Sequence, residues 1–347
     1  MANRARAARL AWRERGLRVG TINVAGLTQL KTALLTDLMR RLCLDIMGVT
    51  ETWEGRCQPD HVPGYTFVGR PRRGGQGGGV GFYISQALAP LTTLHTSPSL
   101  PEALWLEVAG ARPAFVGLVY LPPASVASAQ AADATMAALQ TDIAAFQSRG
   151  RVVVMGDFNS RIGRAAAPAA HVGAWGVDER PDAAGSALTR LMQATDLYAL
   201  NGRTPSPSPA HHAPEYTRPS LKRRPDRAIA EDIAVMDYML APREWALGGR
   251  DAPACRLMVE SSRRVDGADH LLLHTLLPHA CAPRRAPARC AGPSRPRVEK
   301  LTTPTADRKA HEDAYQEAIK QRLGAYEDSV AGLLSQVESG ALTPLQA

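Results

Sequence analysis

Short apolar runs dominate this sequence and constrain its fold more than any other feature. They are five to eight residues long and end at polar or glycine-rich loops. Apolar runs of that length, bounded by turn residues, are typical of β-strands. The predicted strands are Leu17–Asn23, Asp45–Thr50, Val80–Ile84, Leu104–Val108, Ala114–Tyr120, Val152–Gly156, Ile233–Leu240 and Leu271–Leu277.

Three segments between these runs have helical patterns instead. Leu30–Leu44 carries leucines at three- and four-residue steps, Ser125–Gln147 is rich in alanine, and Gly185–Thr195 is shorter. Strands that alternate irregularly with helices indicate layered α/β or α+β architecture and not a strict βαβ repeat. We therefore expect one large domain over residues 19–281.

The positive charge of the chain lies mainly at the two flanks of this domain. The net charge is +8, yet residues 19–281 are nearly balanced. Residues 1–18 hold six Arg and one Glu, and residues 282–300 hold six basic residues and one acidic residue. Such flanks serve as nucleic-acid tethers or as solubilising tails, and the composition leaves both open.

The chain therefore divides into four predicted parts. A basic tail (1–18) precedes the domain 19–281, and a Pro/Arg-rich linker (282–303) leads to an amphipathic helix (304–347). One amphipathic helix cannot bury its apolar stripe alone. We expect the helix to dock on the main domain, to self-associate or to lead toward a partner outside this chain.

Cysteine content and hydropathy indicate the compartment. Five cysteines form no CxxC pair, which argues against a disulfide scaffold and favours the cytosol or nucleus. No apolar run approaches the roughly 20 residues that span a bilayer, so we expect no membrane-spanning helix. The arginine-rich start also resembles a mitochondrial transit peptide, although residues 1–18 contain no serine.

Polar residues at the ends of the predicted strands suggest where chemistry takes place. Each of these residues follows an apolar run, lies within one or precedes one: Asn23, Glu51, Asp157, Asn159, Asp237, Asp269 and His270. The four carboxylates and the asparagine amides offer hard oxygen donors, which suit Mg²⁺ or Mn²⁺ better than zinc. A histidine beside carboxylates is held charged. Together these groups favour hydrolysis of a phosphodiester, although each one alone also fits a turn, a cap or a solvated pair.

The ordered set of these residues resembles the endonuclease/exonuclease/phosphatase superfamily. The resemblance covers residues 19–281 and rests on Asn23, Glu51-Thr52, Tyr120, Gly156-Asp157-Phe158-Asn159, Asp237-Tyr238 and Asp269-His270. Within the superfamily the chain looks most like the endonuclease domain of LINE-type (non-LTR) retrotransposon polyproteins. The segments that favour this closer resemblance include Asn23–Leu27, Glu51-Thr52-Trp53 and Gly77–Val80.

This resemblance implies a deoxyribonuclease I-like fold, a four-layer α/β (α+β) sandwich of two packed mixed β-sheets flanked by helices. It implies that Glu51, Asn23 and Asp269 hold Mg²⁺ (or Mn²⁺). The remaining roles it implies are a water-activating Asp157, phosphate-holding Asn159 and Tyr120, a transition-state-stabilising His270 and an Asp237 that orients His270. The product would be a nick in double-stranded DNA with a 3′-hydroxyl that primes retrotransposition.

A basic segment lies between Thr217 and Asp237, where the retrotransposon relatives carry a β-hairpin that enters the DNA groove. The residues expected to contact DNA are Thr217, Arg218, Lys222, Arg223, Arg224 and Arg227. A disordered basic loop is the alternative. The partners implied are double-stranded DNA and a reverse transcriptase region of the same polyprotein, with action in the nucleus.

Two positions depart from the family pattern. Ala268 occupies a position where the family usually has Ser. Ala25 occupies a position where abasic-site repair relatives commonly carry Asp, and this argues against a role in abasic-site repair. The alternatives are another phosphodiesterase or phosphatase of the superfamily, or a non-catalytic DNA-binding remnant. The glycine run Gly74–Gly81 matches no nucleotide-binding motif and is interpreted as a turn into a strand.

Overall fold

The computed structural model describes residues 16–53, 61–72, 77–97, 99–123, 129–164, 170–203, 216–223, 229–248, 253–260 and 265–279. Within these ranges the chain forms two six-stranded sheets and a separate two-stranded hairpin. The predicted linker 282–303 and helix 304–347 lie outside the described residues, as does nearly all of the tail 1–18. Those parts of the domain organisation stay predictions.

The strands, numbered in chain order, assemble as follows. The first sheet contains, side by side, β13 (Met258–Glu260), β14 (Leu272–Leu277), β1 (Leu17–Asn23), β2 (Ile46–Thr50), β4 (Val80–Ser85) and β3 (Tyr65–Arg70). The second contains β5 (Thr92–Thr96), β6 (Ala103–Val108), β7 (Ala114–Tyr120), β8 (Arg151–Asp157), β12 (Asp237–Pro242) and β9 (Leu197–Ala199). The hairpin pairs β10 (Arg218–Arg223) with β11 (Ile229–Ala234).

Four helices complete the described elements: α1 (Gln29–Arg41), α2 (Ala129–Gln147), α3 (Ala183–Thr195) and the short α4 (Arg243–Ala246), with a 3₁₀ turn at Ala89–Leu91. The Thr28 side chain caps the start of α1 by accepting a hydrogen bond from the N–H of Lys31. Among the described residues, no helix is both long and apolar enough to cross a membrane.

Three apolar clusters define the layers of the molecule. The first, with Val19 and Met155, joins the two sheets face to face. The second packs α2 and α3 on the second sheet, and the third packs α1 on the first sheet, where Ile22 contributes. Successive side chains of a strand point to opposite faces, so a strand covered on both sides is apolar throughout. The predicted four-layer sandwich is confirmed.

The parallel connections direct the ends of several strands to one edge. β1 and β2 are parallel and flank α1, while β7 and β8 are parallel and flank α2. β12 and β14 run antiparallel to β8 and β1, so they begin at the edge where their neighbours end. In open α/β sheets the carboxyl ends of the strands are the usual location of a site.

One predicted strand is wrong, and several others were not predicted. Ile233–Leu240 is not a single strand, because β11 ends at Ala234 and β12 begins at Asp237 in a different sheet. At the break, side chains accept hydrogen bonds from the backbone: the N–H of Val235 donates to the Asp178 carboxylate, and the N–H of Met236 donates to the Thr217 hydroxyl. The apolar runs did not identify β3, β5, β9 and β13, which are short, polar or at sheet edges, whereas β10 and β11 form the hairpin that the resemblance implied between Thr217 and Asp237.

Gly156, which directly precedes Asp157, has a φ of 137°, and a Cβ there would overlap the carbonyl oxygen of Val119. We predict that Gly156→Ala lowers the free energy of unfolding by about 3 kcal/mol or more, through backbone strain and steric overlap. Gly64→Ala is the matched control, because Gly64 also has a positive φ but open space around it, and should cost about 1 kcal/mol. Urea denaturation measures both; equal losses would contradict the steric argument.

Candidate active site

Polar side chains from six parts of the chain meet at the shared edge. Asn23 ends β1, Glu51 follows β2, and Tyr120 and Asp157 end β7 and β8. Asp237 begins β12 directly opposite Asp157, and His270 lies two residues before β14. The convergence expected from the sequence is present in the structure.

Asn23 connects two carboxylates through its amide nitrogen. Its Nδ2 donates to Oε1 of Glu51 at 2.9 Å and to Oδ2 of Asp157 at 2.8 Å. Its Oδ1 accepts from the N–H of Ala25 at 3.0 Å, and this fixes which way the amide faces. The amide nitrogen therefore positions Glu51 and Asp157, a role that the residue pattern did not indicate, while the predicted metal role of Asn23 stays a prediction.

Glu51 is held by donors around its carboxylate. The indole Nε1 of Trp53 donates to its Oε2 at 3.2 Å, and the hydroxyl of Tyr120 also hydrogen-bonds to it. Burial first, and then the charges of Glu51 and Asp157, raise the pKa of Tyr120 far above its usual value. The tyrosine therefore stays a neutral hydrogen-bond donor at any physiological pH.

Asp157 lies in the interior and accepts hydrogen bonds on both oxygens. The N–H of Asn159 donates to its Oδ1 at 2.9 Å, and Nδ2 of Asn159 reaches its Oδ2 at 3.2 Å. Burial, followed by the charge of Asp237, raises the pKa of Asp157, while His270, Asn23 and Asn159 oppose the shift. A carboxylate with a raised pKa is suited to accept a proton from water.

Asp237 and His270 form a buried pair. Oδ2 of Asp237 lies 2.7 Å from Nδ1 of His270, and Nε2 of the imidazole lies 3.9 Å from Asp157 and 3.7 Å from Asp269. Burial alone would lower the pKa of His270, but Asp237, Asp157 and Asp269 together raise it to about 9. At neutral pH the ring is thus charged and presents an N–H to the centre of the site.

Asp269 is the most exposed acidic group of the set and is paired with a hairpin residue. Nε and Nη2 of Arg218 lie 2.9 and 2.8 Å from its Oδ2. Burial opposes ionisation of Asp269, yet His270 and Arg218 lower its pKa overall. The predicted DNA contact Arg218 is therefore engaged with the site itself, and it links the hairpin to the active-site edge.

The donor set fits a divalent cation that prefers oxygen. Asp157, Asp237 and His270 offer ligand atoms within 4.8 Å of one another, and the buried Oδ1 of Asp237 accepts no hydrogen bond among the described residues. A charged imidazole cannot ligate a metal, so His270 is an unsuitable member of that group. Glu51 and Asp269, the predicted carboxylate ligands, border the cluster and suit such an ion.

Thr217 has a different place from the one predicted. Its side chain is completely buried, and its Oγ1 accepts the N–H groups of Met236 at 3.0 Å and Asp237 at 3.1 Å. A buried hydroxyl cannot contact a DNA backbone, so this placement corrects the predicted DNA-binding role. Thr217 instead fixes the backbone that carries Asp237. The side chains of Lys222 and Arg223 on β10 lie outside the described residues, as do Arg224 and Arg227 entirely.

Lys31 is a buried residue near the site that the sequence pattern did not single out. Its Nζ donates to the carbonyl oxygens of Val24 at 2.7 Å, Ala25 at 2.9 Å and Gly267 at 3.0 Å. One ammonium thus joins the loop after Asn23 to the loop before Asp269. The only signal available in the sequence was a lysine within an amphipathic helix, which is an ordinary surface pattern.

We predict that Lys31→Met lowers the free energy of unfolding by about 2–4 kcal/mol, because three carbonyl groups, that of Val24 buried and those of Ala25 and Gly267 partly buried, lose a charged donor. Arg41→Met is the matched control, because it removes a positive charge from an exposed ion pair on the same helix. It should change the free energy of unfolding by less than about 1 kcal/mol. Amide hydrogen exchange at residues 24–26 and 266–268 should also accelerate only in Lys31→Met. Similar behaviour of the two variants would contradict this role.

Residues 20–270 match the Endonuclease/Exonuclease/phosphatase family. The chain belongs to this family. Because its members are hydrolytic nucleases and phosphatases, the chain is a phosphodiesterase of this superfamily, and the resemblance inferred from the ordered residues is confirmed. No curated protein sequence matches the chain.

Solved structures share the fold at low sequence identity. The endonuclease domain of TRAS1, a telomere-specific non-LTR retrotransposon, aligns with a TM-score of 0.50 and 14% identity over 75% of this chain and 98% of its own. AP endonuclease LMAP from Leishmania major gives 0.56 and 17% over 76% and 88%. The 3′ phosphatase NExo from Neisseria, bound to a product DNA hairpin, gives 0.50 and 17% over 75% and 99%.

Proposed function

We propose that this chain is a metal-dependent endonuclease that nicks double-stranded DNA and leaves a 3′-hydroxyl able to prime reverse transcription. One observation carries the proposal: Asn23, Glu51, Asp157, Asp237 and His270 form one cluster at a sheet edge. Hydrogen bonds join Asn23 to Glu51 and Asp157, and Asp237 to His270, and Nε2 of His270 lies 3.9 Å from Asp157. The family supports the hydrolytic chemistry, and a retrotransposon endonuclease domain among the similar structures supports the finer role.

Each residue of the cluster has a part in the hydrolysis. Asp157 orients the attacking water and accepts its proton, which its raised pKa favours. His270, held by Asp237, directs a charged N–H at the phosphate and stabilises the negative charge that develops there. Asn159 and Tyr120 hold the scissile phosphate. Glu51 and Asp269 would hold Mg²⁺ (or Mn²⁺), which when bound would supply Lewis-acid polarisation of the phosphoryl group.

The hairpin supplies the contact with duplex DNA in this proposal. Lys222 and Arg223 lie on β10, and Arg224 and Arg227 come between β10 and β11. Clustered basic residues bind phosphates through counterion release, which makes affinity depend on salt. The ion pair between Arg218 and Asp269 anchors the base of the hairpin next to the reacting groups.

Related functions differ from this one in substrate. Abasic-site repair is the first rival, and Ala25 occupies the position where those relatives commonly carry Asp. A small-molecule phosphoesterase is the second, and a non-catalytic DNA-binding remnant is the third. The intact set of carboxylates and His270 disfavours the remnant. We further propose that the chain acts in the nucleus beside a reverse transcriptase region of the same polyprotein.

We predict that the chain nicks supercoiled plasmid DNA with Mg²⁺ and not with EDTA, and that a DNA polymerase extends the nicks. His270→Ala and the isosteric Asp237→Asn should each reduce the nicking rate at least 100-fold, because both break the charged pair. His95→Ala is the matched control. His95 lies on the edge strand β5 and, like His270, is paired with a carboxylate, that of Glu107.

Circular dichroism establishes that the variants are folded. Unchanged nicking by both Asp237→Asn and His270→Ala would refute the site. Faster cleavage of an abasic oligonucleotide than of intact duplex would support repair, and turnover of bis-p-nitrophenyl phosphate alone would support a small-molecule enzyme. Binding of DNA without any cleavage would support the remnant.

We predict that replacing Lys222, Arg223, Arg224 and Arg227 with Gln weakens duplex binding and reduces the slope of log affinity against log salt by about 3. The control replaces four exposed arginines that lie toward the opposite edge of the sheets: Arg40, Arg41, Arg112 and Arg149. Both quadruple variants lose the same charge, so an equal change of slope would indicate a general charge effect and would exclude the hairpin as the DNA contact.

A further inference from the structure

The loop that carries Glu51 has an unusual backbone. Glu51 and Trp53 both adopt left-handed conformations, with φ of 54° and 53°, although neither is glycine. Residues other than glycine hold such conformations only where the surrounding structure fixes them. The two residues lie on either side of Thr52, whose side chain is completely buried.

The indole of Trp53 turns back onto this loop. Its Nε1 donates to Oε2 of Glu51 at 3.2 Å, while Nδ2 of Asn23 donates to Oε1 from β1 at 2.9 Å. Both oxygens of the carboxylate are therefore oriented by neutral donors, and neither donor adds a charge that would compete with a cation. This is the arrangement by which outer groups orient a metal-binding carboxylate.

Glycines explain how the indole fits into this position. A Cβ on Gly26 would lie 2.6 Å from Cε3 of Trp53, and a Cβ on Gly77 would lie 3.3 Å from its Nε1. The backbone of the glycine run also holds the loop, because Gly78 and Gly79 accept the N–H groups of Trp53 at 2.9 Å and Thr52 at 3.2 Å. The glycine run thus has a function beyond that of a turn.

We propose that Trp53 is a positioning residue for Glu51, and that Gly26 and the Gly77–Gly79 backbone form the seat of its indole. The indole N–H holds the Glu51 carboxylate in the orientation that receives the divalent cation. This inference rests on the proposed function, because it assumes that Glu51 binds a metal ion. It adds a residue outside the set that reacts with the phosphate.

The test compares Trp53→Phe with the wild-type chain in Mn²⁺ affinity, measured from the electron paramagnetic resonance signal of the free ion. Loss of the N–H should weaken Mn²⁺ binding about tenfold. The Mg²⁺ concentration for half-maximal nicking should rise by the same factor, and saturating Mg²⁺ should restore most of the wild-type rate because Glu51 is retained. Gly26→Ala, which displaces the ring, should act in the same direction.

Trp105→Phe is the matched control. The Nε1 of Trp105 also donates to a carboxylate, Oδ2 of Asp142, at 3.2 Å, but Trp105 is buried between the second sheet and α2. Its Mn²⁺ affinity should stay within about twofold of the wild type, even if urea denaturation shows a larger loss of stability than in Trp53→Phe. Equal weakening in both variants would indicate a general packing effect and overturn the assignment.

The outcomes separate this inference from the function on which it rests. Wild-type Mn²⁺ binding and Mg²⁺-dependent nicking, with unchanged affinity in Trp53→Phe, would overturn only the role of Trp53. No Mn²⁺ binding by the wild-type chain would overturn both the role of Trp53 and the proposed metal-dependent function. A lower nicking rate in Trp53→Phe that saturating Mg²⁺ does not restore would also contradict the positioning role.

Discussion

Two carboxylates buried side by side set the conditions for the rest of this structure. Asp157 and Asp237 are paired across β8 and β12 and are almost completely shielded from solvent. Like charges repel strongly where water cannot screen them. Amide groups of Asn23 and Asn159 donate to the first, and the charged ring of His270 binds the second. The groups that offset this repulsion are the ones to which we assign roles in the proposed hydrolysis.

The same constraint extends to the loops around the site. Thr217 fixes the position of Asp237, because its hydroxyl accepts hydrogen bonds from the N–H groups of Met236 and Asp237 between β11 and β12. Lys31 joins the loops that carry Asn23 and Asp269, and Trp53 secures Glu51. None of these three residues needs to touch the phosphate. Their contribution is the fixed geometry that buried, partly charged groups require.

The sequence predicted the parts of this molecule that depend on local pattern. Continuous apolar runs identified β1 and β7 with their observed bounds, because strands covered on both faces carry no polar alternation. Edge strands such as β5 lack that signal. The orientation of the Asn23 amide and the burial of Thr217 depend on contacts with residues far along the chain. Spacing cannot reveal such contacts, so the positioning role of Asn23 was not predicted, and the DNA-binding role of Thr217 was predicted wrongly.

The pairing of the first strand with the last has a consequence for biosynthesis. β1 lies between β2 and β14, and Leu17 of β1 is in register with Leu277 of β14. Until β14 has left the ribosome, β1 has only β2 beside it in the first sheet, and until residue 270 has left, the cluster lacks His270. A growing chain therefore holds an incomplete site. The residues that complete the site belong to the last part of the domain, which pairs with the first.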